Sequence, residues 1–262
     1  MRIIRFIADD GRLLHGQNLG DGLASPLEDR SIFDQPKPTG QRVGIAKLLA
    51  PIIPPAIICI GRNYGEAARA MRQGDHTLEV FLKPVTALQN PNDPICVPTF
   101  DAASSQLDCE GELAVIIMRE ARHVPEQRAL DHVLGYTIAN DVTARAFQTP
   151  AGPPLWMRGK GFDTFCPLGP AIVTLNEVHD PQNLTLRTVI DGVTTREGST
   201  MEMIWSVAEI IACLSRHMTL LPGTVVLTGA PVALHAQAIA PKPNSSVTID
   251  ITNVGCLRNT VQ

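Results

Sequence analysis

The sequence has no apolar run of membrane-spanning length. Proline, glycine or charge breaks every hydrophobic stretch well before the roughly 20 residues a spanning helix needs, which excludes a helical anchor. It also has no run of lysine and arginine and no basic patch interleaved with aromatics, and 26 acidic against 22 basic residues give a formal net charge of -4. Nucleic acid is thereby excluded as a main partner, and so is an anionic membrane surface. The six cysteines (Cys59, Cys96, Cys109, Cys166, Cys213 and Cys256) stand singly, with no C-x-x-C pair and no short metal-ligand spacing. Disulfide scaffolds and zinc sites of that kind are excluded, and small buried hydrophobes in a reducing compartment are expected. Residues 1–10 carry neither a long apolar core nor a small-residue cleavage site, so no secretory signal is read and a cytoplasmic chain is expected.

What is present is 262 residues, 44% of them hydrophobic, enough to bury a full core. Residues 2–7 are a strand candidate, residues 9–12 a turn, and Leu13 onward the hairpin partner. Polar, turn-rich sequence follows through Arg42. Prolines at 51, 54 and 55 then make residues 48–55 an extended connector. The expected organisation is a small β-rich unit over residues 1–52 and a larger one over 53–262.

In the larger part a short buried strand, 57–60, runs into Gly61-Arg62-Asn63-Tyr64, where glycine and polar side chains form a pocket rim. A short helix over 66–72 and a loop over 73–79 are expected next. Residues 125–134 read as a helix, with Pro125 in its first turn and Gly135 as its stop. A strand over 136–139 ends in Asn140-Asp141. Asp191-Gly192 suits a type I′ hairpin, residues 206–218 have apolar residues at helical spacing with Trp205 as core, and two strands near Val247 and Cys256 close the chain.

The chemistry gathers around residues 107–117, where Glu110 and Glu112 head a β-like apolar run. Side chains two apart on a strand point the same way, and paired like charges repel unless something resolves them. A hard cation such as Mg²⁺, Mn²⁺ or Ca²⁺ would do so; a solvated face of an antiparallel strand is the simpler reading. Asp141 at a strand end can reach the same cavity or serve as a turn or cap. Lys160, between Gly159 and Gly161, is a surface turn residue or, beside a metal, an electrophile or proton donor.

Taken in order, Gly61-Arg62-Asn63-Tyr64, Phe81-Leu82-Lys83-Pro84, Asp108-Cys109-Glu110-Gly111-Glu112-Leu113-Ala114-Val115, Asn140-Asp141-Val142-Thr143-Ala144-Arg145, Lys160-Gly161-Phe162-Asp163, and Pro222-Gly223 with Thr228-Gly229 resemble the fumarylacetoacetate hydrolase family. The likeness runs from about Pro51 to the end. It implies a mainly β fold with short helices, a rolled mixed or antiparallel β-sandwich, usually in a homodimer. It implies Mg²⁺ or Mn²⁺ on Glu110, Glu112 and Asp141, with Lys160 beside the reacting carbonyl. Arg62 and Gln148 would hold the carboxylate and oxo groups of a small 2-oxo carboxylate, with Tyr64 and Thr228 as further contacts. The implied activities are C–C bond cleavage, decarboxylation or isomerisation in aromatic or oxo-acid breakdown.

The departures are as informative. Where the family usually carries a His and a Glu that activate water, this chain has Ala67 and Ala70. Loss of such a base forfeits about two to four powers of ten in rate. Ala146, Ala230 and Val232-Ala233-Leu234-His235 also replace customary residues. Three readings stand open: a lyase or isomerase relying on Lys160 and a cation, a hydrolase that recruits His76 as its base, and a weakly active or non-catalytic metal-binding relative.

Overall fold

The structure, a computed structural model, describes residues 1–28, 31–66, 69–70, 78–98, 107–148, 156–234 and 239–262. The expected N-terminal hairpin forms. Strand β1 (Arg2–Ala8) turns through Gly11, at φ +83, into β2 (Leu13–Gly20), with Ile7 opposite Leu13. Strand β3 (Leu23–Pro26) lies in the stretch expected to be polar and turn-rich, and β4 (Val43–Leu49) runs into the expected connector. Strand pairing captures both, since β3 lies between β2 and β4 and β4 pairs with β1. Residues 50–56 then carry no regular structure, as the prolines require.

The remaining strands are β5 (Ile57–Ile60), β6 (Val80–Lys83), β7 (Leu88–Gln89), β8 (Leu107–Asp108), β9 (Gly111–Ile117), β10 (Val133–Asn140), β11 (Thr143–Ala144), β12 (Cys166–Thr174), β13 (Thr185–Ile190), β14 (Val193–Ser199), β15 (Val225–Leu227), β16 (Ser246–Ile251) and β17 (Gly255–Thr260). The large sheet runs β2-β3-β4-β1-β12-β10-β9-β15-β5-β6, so β1 brings the N-terminal strands onto it through Arg2 opposite Val173. It is antiparallel except at β15–β5, and β7 joins β12 in parallel. A four-stranded antiparallel sheet, β14-β13-β16-β17, covers part of one face.

Strand β9 shows why the layers sit as they do. All seven of its residues are buried and all but Glu112 are apolar or glycine, the pattern of a central strand covered on both faces. Leu113, Val115 and Ile117 join a core that includes Leu186 and Ile249 of the small sheet and Ile210, Ile211 and Leu214 of the helix Val207–His217. Ala114 and Ile116 face the opposite core, with Ile3, Ile52 and Leu227. Gly111 belongs to the first face by alternation: a Cβ there would lie 2.5 Å from Thr188 Oγ1 and 2.7 Å from Ile249. Glycine at 111 therefore lets the small sheet approach, and it leaves Glu110 and Glu112 to the other side.

The helix Val207–His217 starts at a capping box in which Ser206 accepts from the Glu209 backbone and Glu209 accepts from that of Ser206. Trp205 packs beside the first core. Asp191 (φ +48) and Gly192 (φ +80) make the expected hairpin. The expected helix at 125–134 is a 3-10 helix ending at His132. Val133 and Gly135 pair with Ile117 and Ile116, so Gly135 continues a strand rather than stopping a helix; the sheet overrides local propensity. All six cysteines are free, three of them (Cys59, Cys109 and Cys166) buried. Among the described residues no helix is long and apolar enough to cross a membrane.

Candidate active site

The strand ends place the carboxylates. Glu110 precedes β9 instead of lying in it, at a break where Cys109 and Glu110 separate β8 from β9. Asp141 follows the last residue of β10, and its N–H donates to the Glu110 carbonyl at 2.8 Å. Glu112, in β9, is 3% exposed, which rules out a solvated strand face. All three border a cavity of about 460 Å³ that Arg62, Tyr64, Gln148 and Lys160 also line. Seven residues singled out in the sequence thus border one cavity.

Lys160 ends the short helix Trp156–Lys160 and is itself buried. Its ammonium donates to Glu110 Oε2 at 2.6 Å and to Asp141 Oδ2. Burial pulls the Lys160 pKa down, but the charges of Asp141 and Glu110 outweigh it and hold the group protonated. Glu110 is the converse case: burial pushes its carboxyl up, yet Lys160, Arg145 and Arg196 together hold it well below the usual range. Glu112 stands apart. Gly229 N–H donates to its Oε2 at 2.6 Å, but among the described residues no cation lies within ion-pair distance. Burial, then the neighbouring Asp141 charge, raises its pKa well above that of an ordinary carboxyl. Gly229 can turn its N–H to Glu112 because it sits at φ +93, where a Cβ would also lie 2.9 Å from Asn63.

Three further residues without an assigned role in the sequence join the network. Asp108 is buried and accepts from Arg145 Nε at 3.1 Å and Arg196 Nη2 at 2.7 Å. Arg145 also reaches Glu110 Oε1 at 3.0 Å, and its Nη1 donates to Gln148 Oε1 at 3.1 Å. Arg196, from β14, donates its second nitrogen to the Pro231 carbonyl at 2.8 Å and so ties the 229–232 wall to the acids. Asp108 and Arg145 lie inside the motifs; Arg196 follows a hairpin in ordinary strand sequence, and only the bulge between Thr188 and Val189 marks that register there changes.

The opposite wall and the mouth are less polar. Phe81 and Trp156 meet edge to face at 4.9 Å, and Lys160 Nζ lies 5.4 Å from the Phe81 ring centre. Arg62, at the mouth, stacks 5.8 Å over Trp156 and donates from Nε to Glu79 Oε2 at 2.7 Å. Tyr64 is 6% exposed, its hydroxyl has no partner among the described residues, and burial raises its pKa so that it stays a neutral phenol. Gln148 Nε2 is likewise buried without a partner among the described residues.

Thr228 differs from its expected placing. It is fully buried, it does not border the cavity, and its hydroxyl donates to the Leu113 carbonyl at 2.8 Å. A contact between Thr228 and substrate is thereby corrected to a role in shaping the loop that carries Gly229. Ala70 is exposed and helical; His76 and Ala67 lie outside the described residues.

The residues suit a hard divalent cation in chemistry: three carboxylates border one cavity, and the buried Glu112 carries no compensating charge. As they stand, however, the Lys160 ammonium bridges Glu110 and Asp141, and among the described residues no three carboxylate, imidazole or thiol groups gather at metal-holding spacing.

Residues 56–262 match the family model described as fumarylacetoacetate (FAA) hydrolase C-terminal. The chain belongs to the fumarylacetoacetate hydrolase family. Within that family it is 39% identical to protein Rv2993c of Mycobacterium tuberculosis, over 100% of this chain and 98% of the relative. It is 38% identical to oxaloacetate tautomerase fahd2, mitochondrial, of Xenopus laevis, over 82% of this chain and 68% of the relative. Among solved structures, 5-carboxymethyl-2-hydroxymuconate delta-isomerase from Mycobacterium smegmatis superposes with a TM-score of 0.86 at 37% identity, covering 100% of this chain and 99% of that one. The mainly β fold expected from the sequence is the fold of these family members.

Proposed function

We propose that the protein is a Mg²⁺- or Mn²⁺-dependent enzyme that interconverts keto and enol forms, or moves a double bond, in a small 2-oxo carboxylic acid. The observation that carries this reading is the buried Lys160 ammonium, held by Glu110 and Asp141 in a cavity whose other cations are arginines. Among the described residues no histidine lines that cavity. Such a site withdraws electrons well, and the sequence carries Ala67 and Ala70 where the family usually has its water-activating pair.

Glu110, Glu112 and Asp141 would hold the cation, which when bound supplies Lewis-acid polarisation of the 2-oxo oxygen. Lys160, kept protonated, presents its ammonium where negative charge develops as carbon 3 yields its proton to solvent water and the carbonyl becomes an enolate, which takes up a proton at oxygen to complete the enol; fixed donors at that point stabilise the transition state more than the ground state. Arg62 lies at the mouth with its Nε and Nη2 paired to Glu79, so it would meet a substrate carboxylate through its remaining nitrogen or by exchanging Glu79 for it, and Gln148 and Tyr64 also border the cavity with donors that have no partner among the described residues. Phe81 and Trp156 keep water from one side and so strengthen these charges. The relatives named as an oxaloacetate tautomerase and a delta-isomerase support this choice.

The test is a panel of 2-oxo acids with Mg²⁺ in which three reactions are followed separately: hydrogen–deuterium exchange at carbon 3 of oxaloacetate by NMR, its decarboxylation, and hydrolysis of an acylpyruvate. Accelerated exchange with little of the other two is expected. Acylpyruvate hydrolysis outpacing exchange would replace this reading with the hydrolase one, and silence across the panel with intact Mg²⁺ binding would replace it with a non-catalytic one.

A further inference from the structure

Lys83 is the most deeply buried cation of the cluster, with a side chain 0% exposed, and it does not border the cavity. It closes β6, whose pleat leaves Val80 and Leu82 exposed and turns Phe81 and Lys83 inward. Register fixes its depth: Lys83 stands opposite Ile57 on β5, and Pro84 ends the strand immediately afterwards. The ammonium donates to Asp141 Oδ1 at 2.6 Å and to the Val142 carbonyl at 3.1 Å. Asp141, 1% exposed, is therefore held by two lysines, with Lys83 on Oδ1 and Lys160 on Oδ2.

The two lysines are not equivalent. Lys160 borders the cavity and shares itself with Glu110, whereas Lys83 has, among the described residues, only Asp141 and a backbone carbonyl. A buried carboxylate without a partner is costly. If Lys160 were the sole counter-charge, turning it toward a substrate oxygen would strand Asp141 in the core.

We propose that Lys83 is a positioning residue: it fixes the Asp141 carboxylate from behind, leaves one oxygen facing the cavity, and neutralises it so that Lys160 is free to engage the substrate. This rests on the 2-oxo acid reading above. Lys83 touches no substrate, so its loss should act on turnover through the placement of Asp141 and Lys160, where a shift of about 1 Å costs on the order of a hundredfold.

The experiment compares Lys83→Met and Lys83→Gln with the wild-type chain in oxaloacetate exchange and in Mg²⁺ calorimetry. For Lys83→Met, kcat should fall about a hundredfold with KM within about threefold. Mg²⁺ affinity should be kept or tightened, because a positive charge beside one of the proposed ligands is removed. Lys83→Gln, which retains a donor for Asp141 without the charge, should recover part of kcat. A residue needed only for folding would instead lose metal binding, kcat and thermal midpoint together. The proposal is overturned by unchanged kcat in Lys83→Met, by loss of Mg²⁺ binding alongside kcat, or by failure of both variants to fold. A wild-type chain silent toward every 2-oxo acid overturns the function reading instead; an active wild type with an equally active Lys83→Met overturns this inference alone.

Discussion

The charges of this molecule fall into two populations. At the ends of β8, β9 and β10, four carboxylates and four cations pack into a largely buried network in which Asp108, Asp141, Lys83, Lys160 and Arg196 are all nearly inaccessible. Near the N-terminal strands, Lys47 on β4 pairs with Asp93 at 2.8 Å, but the two side chains are 46% and 24% exposed. The residue types are the same and the distances similar, yet the energetics are opposed. An exposed pair gains little, because water already solvates both partners. A buried network must recover a large desolvation cost, and apolar residues of the same volume would serve stability as well or better. Charge concentrated in a core where it is a poor stabiliser points to chemistry as its use.

The largest effect should come from breaking the network where it faces the cavity. Lys160→Met is expected to lower oxaloacetate exchange about a thousandfold, measured as initial rates at saturating Mg²⁺; activity within tenfold of wild type would reduce the cluster to a structural feature. Breaking it away from the cavity should instead cost stability. Asp108→Ala leaves Arg145 and Arg196 without the carboxylate they share, and among the described residues the buried Arg196 in particular keeps only Glu110, at 3.5 Å, as an acidic partner. A loss of about 3 kcal/mol in urea unfolding is expected. A loss below about 1 kcal/mol would show that Glu110 alone can satisfy both arginines.

How much of this was legible in the sequence follows the same division. Glu110, Glu112, Asp141 and Lys160 could be read because short motifs place carboxylates and a glycine-flanked lysine at strand ends, where alternation and turns fix their direction. Phe81-Leu82-Lys83-Pro84 was legible as a motif, yet Lys83 had no readable role, since its partner lies 58 residues away and only sheet register brings them together. Arg196 was silent for the same reason: its inward direction depends on a bulge and on the Pro231 carbonyl. Thr228 misled because its motif marks a loop next to the cavity without saying that the hydroxyl turns back to Leu113. In the fold, β3 escaped reading, and the helix expected over 125–134 ends early at His132 with Val133 already in a strand, because cross-strand pairing, a long-range effect, decided both against local propensity.

The smallest effect should come from the exposed pair, and it sharpens the contrast. Burial pushes the Asp93 carboxyl upward, but Lys47 and the Asn90 side-chain amide, 2.8 Å away, outweigh it and leave the pKa lowered. A carboxylate whose folded pKa is depressed lends stability above its unfolded pKa, and that stability is lost as pH falls through the folded value. Because Asn90 still donates in Lys47→Ala, the variant should lose no more than about 0.5 kcal/mol at neutral pH. The difference from wild type should fade in about 0.5 M salt and again as the solution is acidified through the carboxylate range. A loss as large as that of Asp108→Ala, or one indifferent to salt, would mean that exposure does not separate the two populations and would remove the energetic ground for assigning the buried one to catalysis.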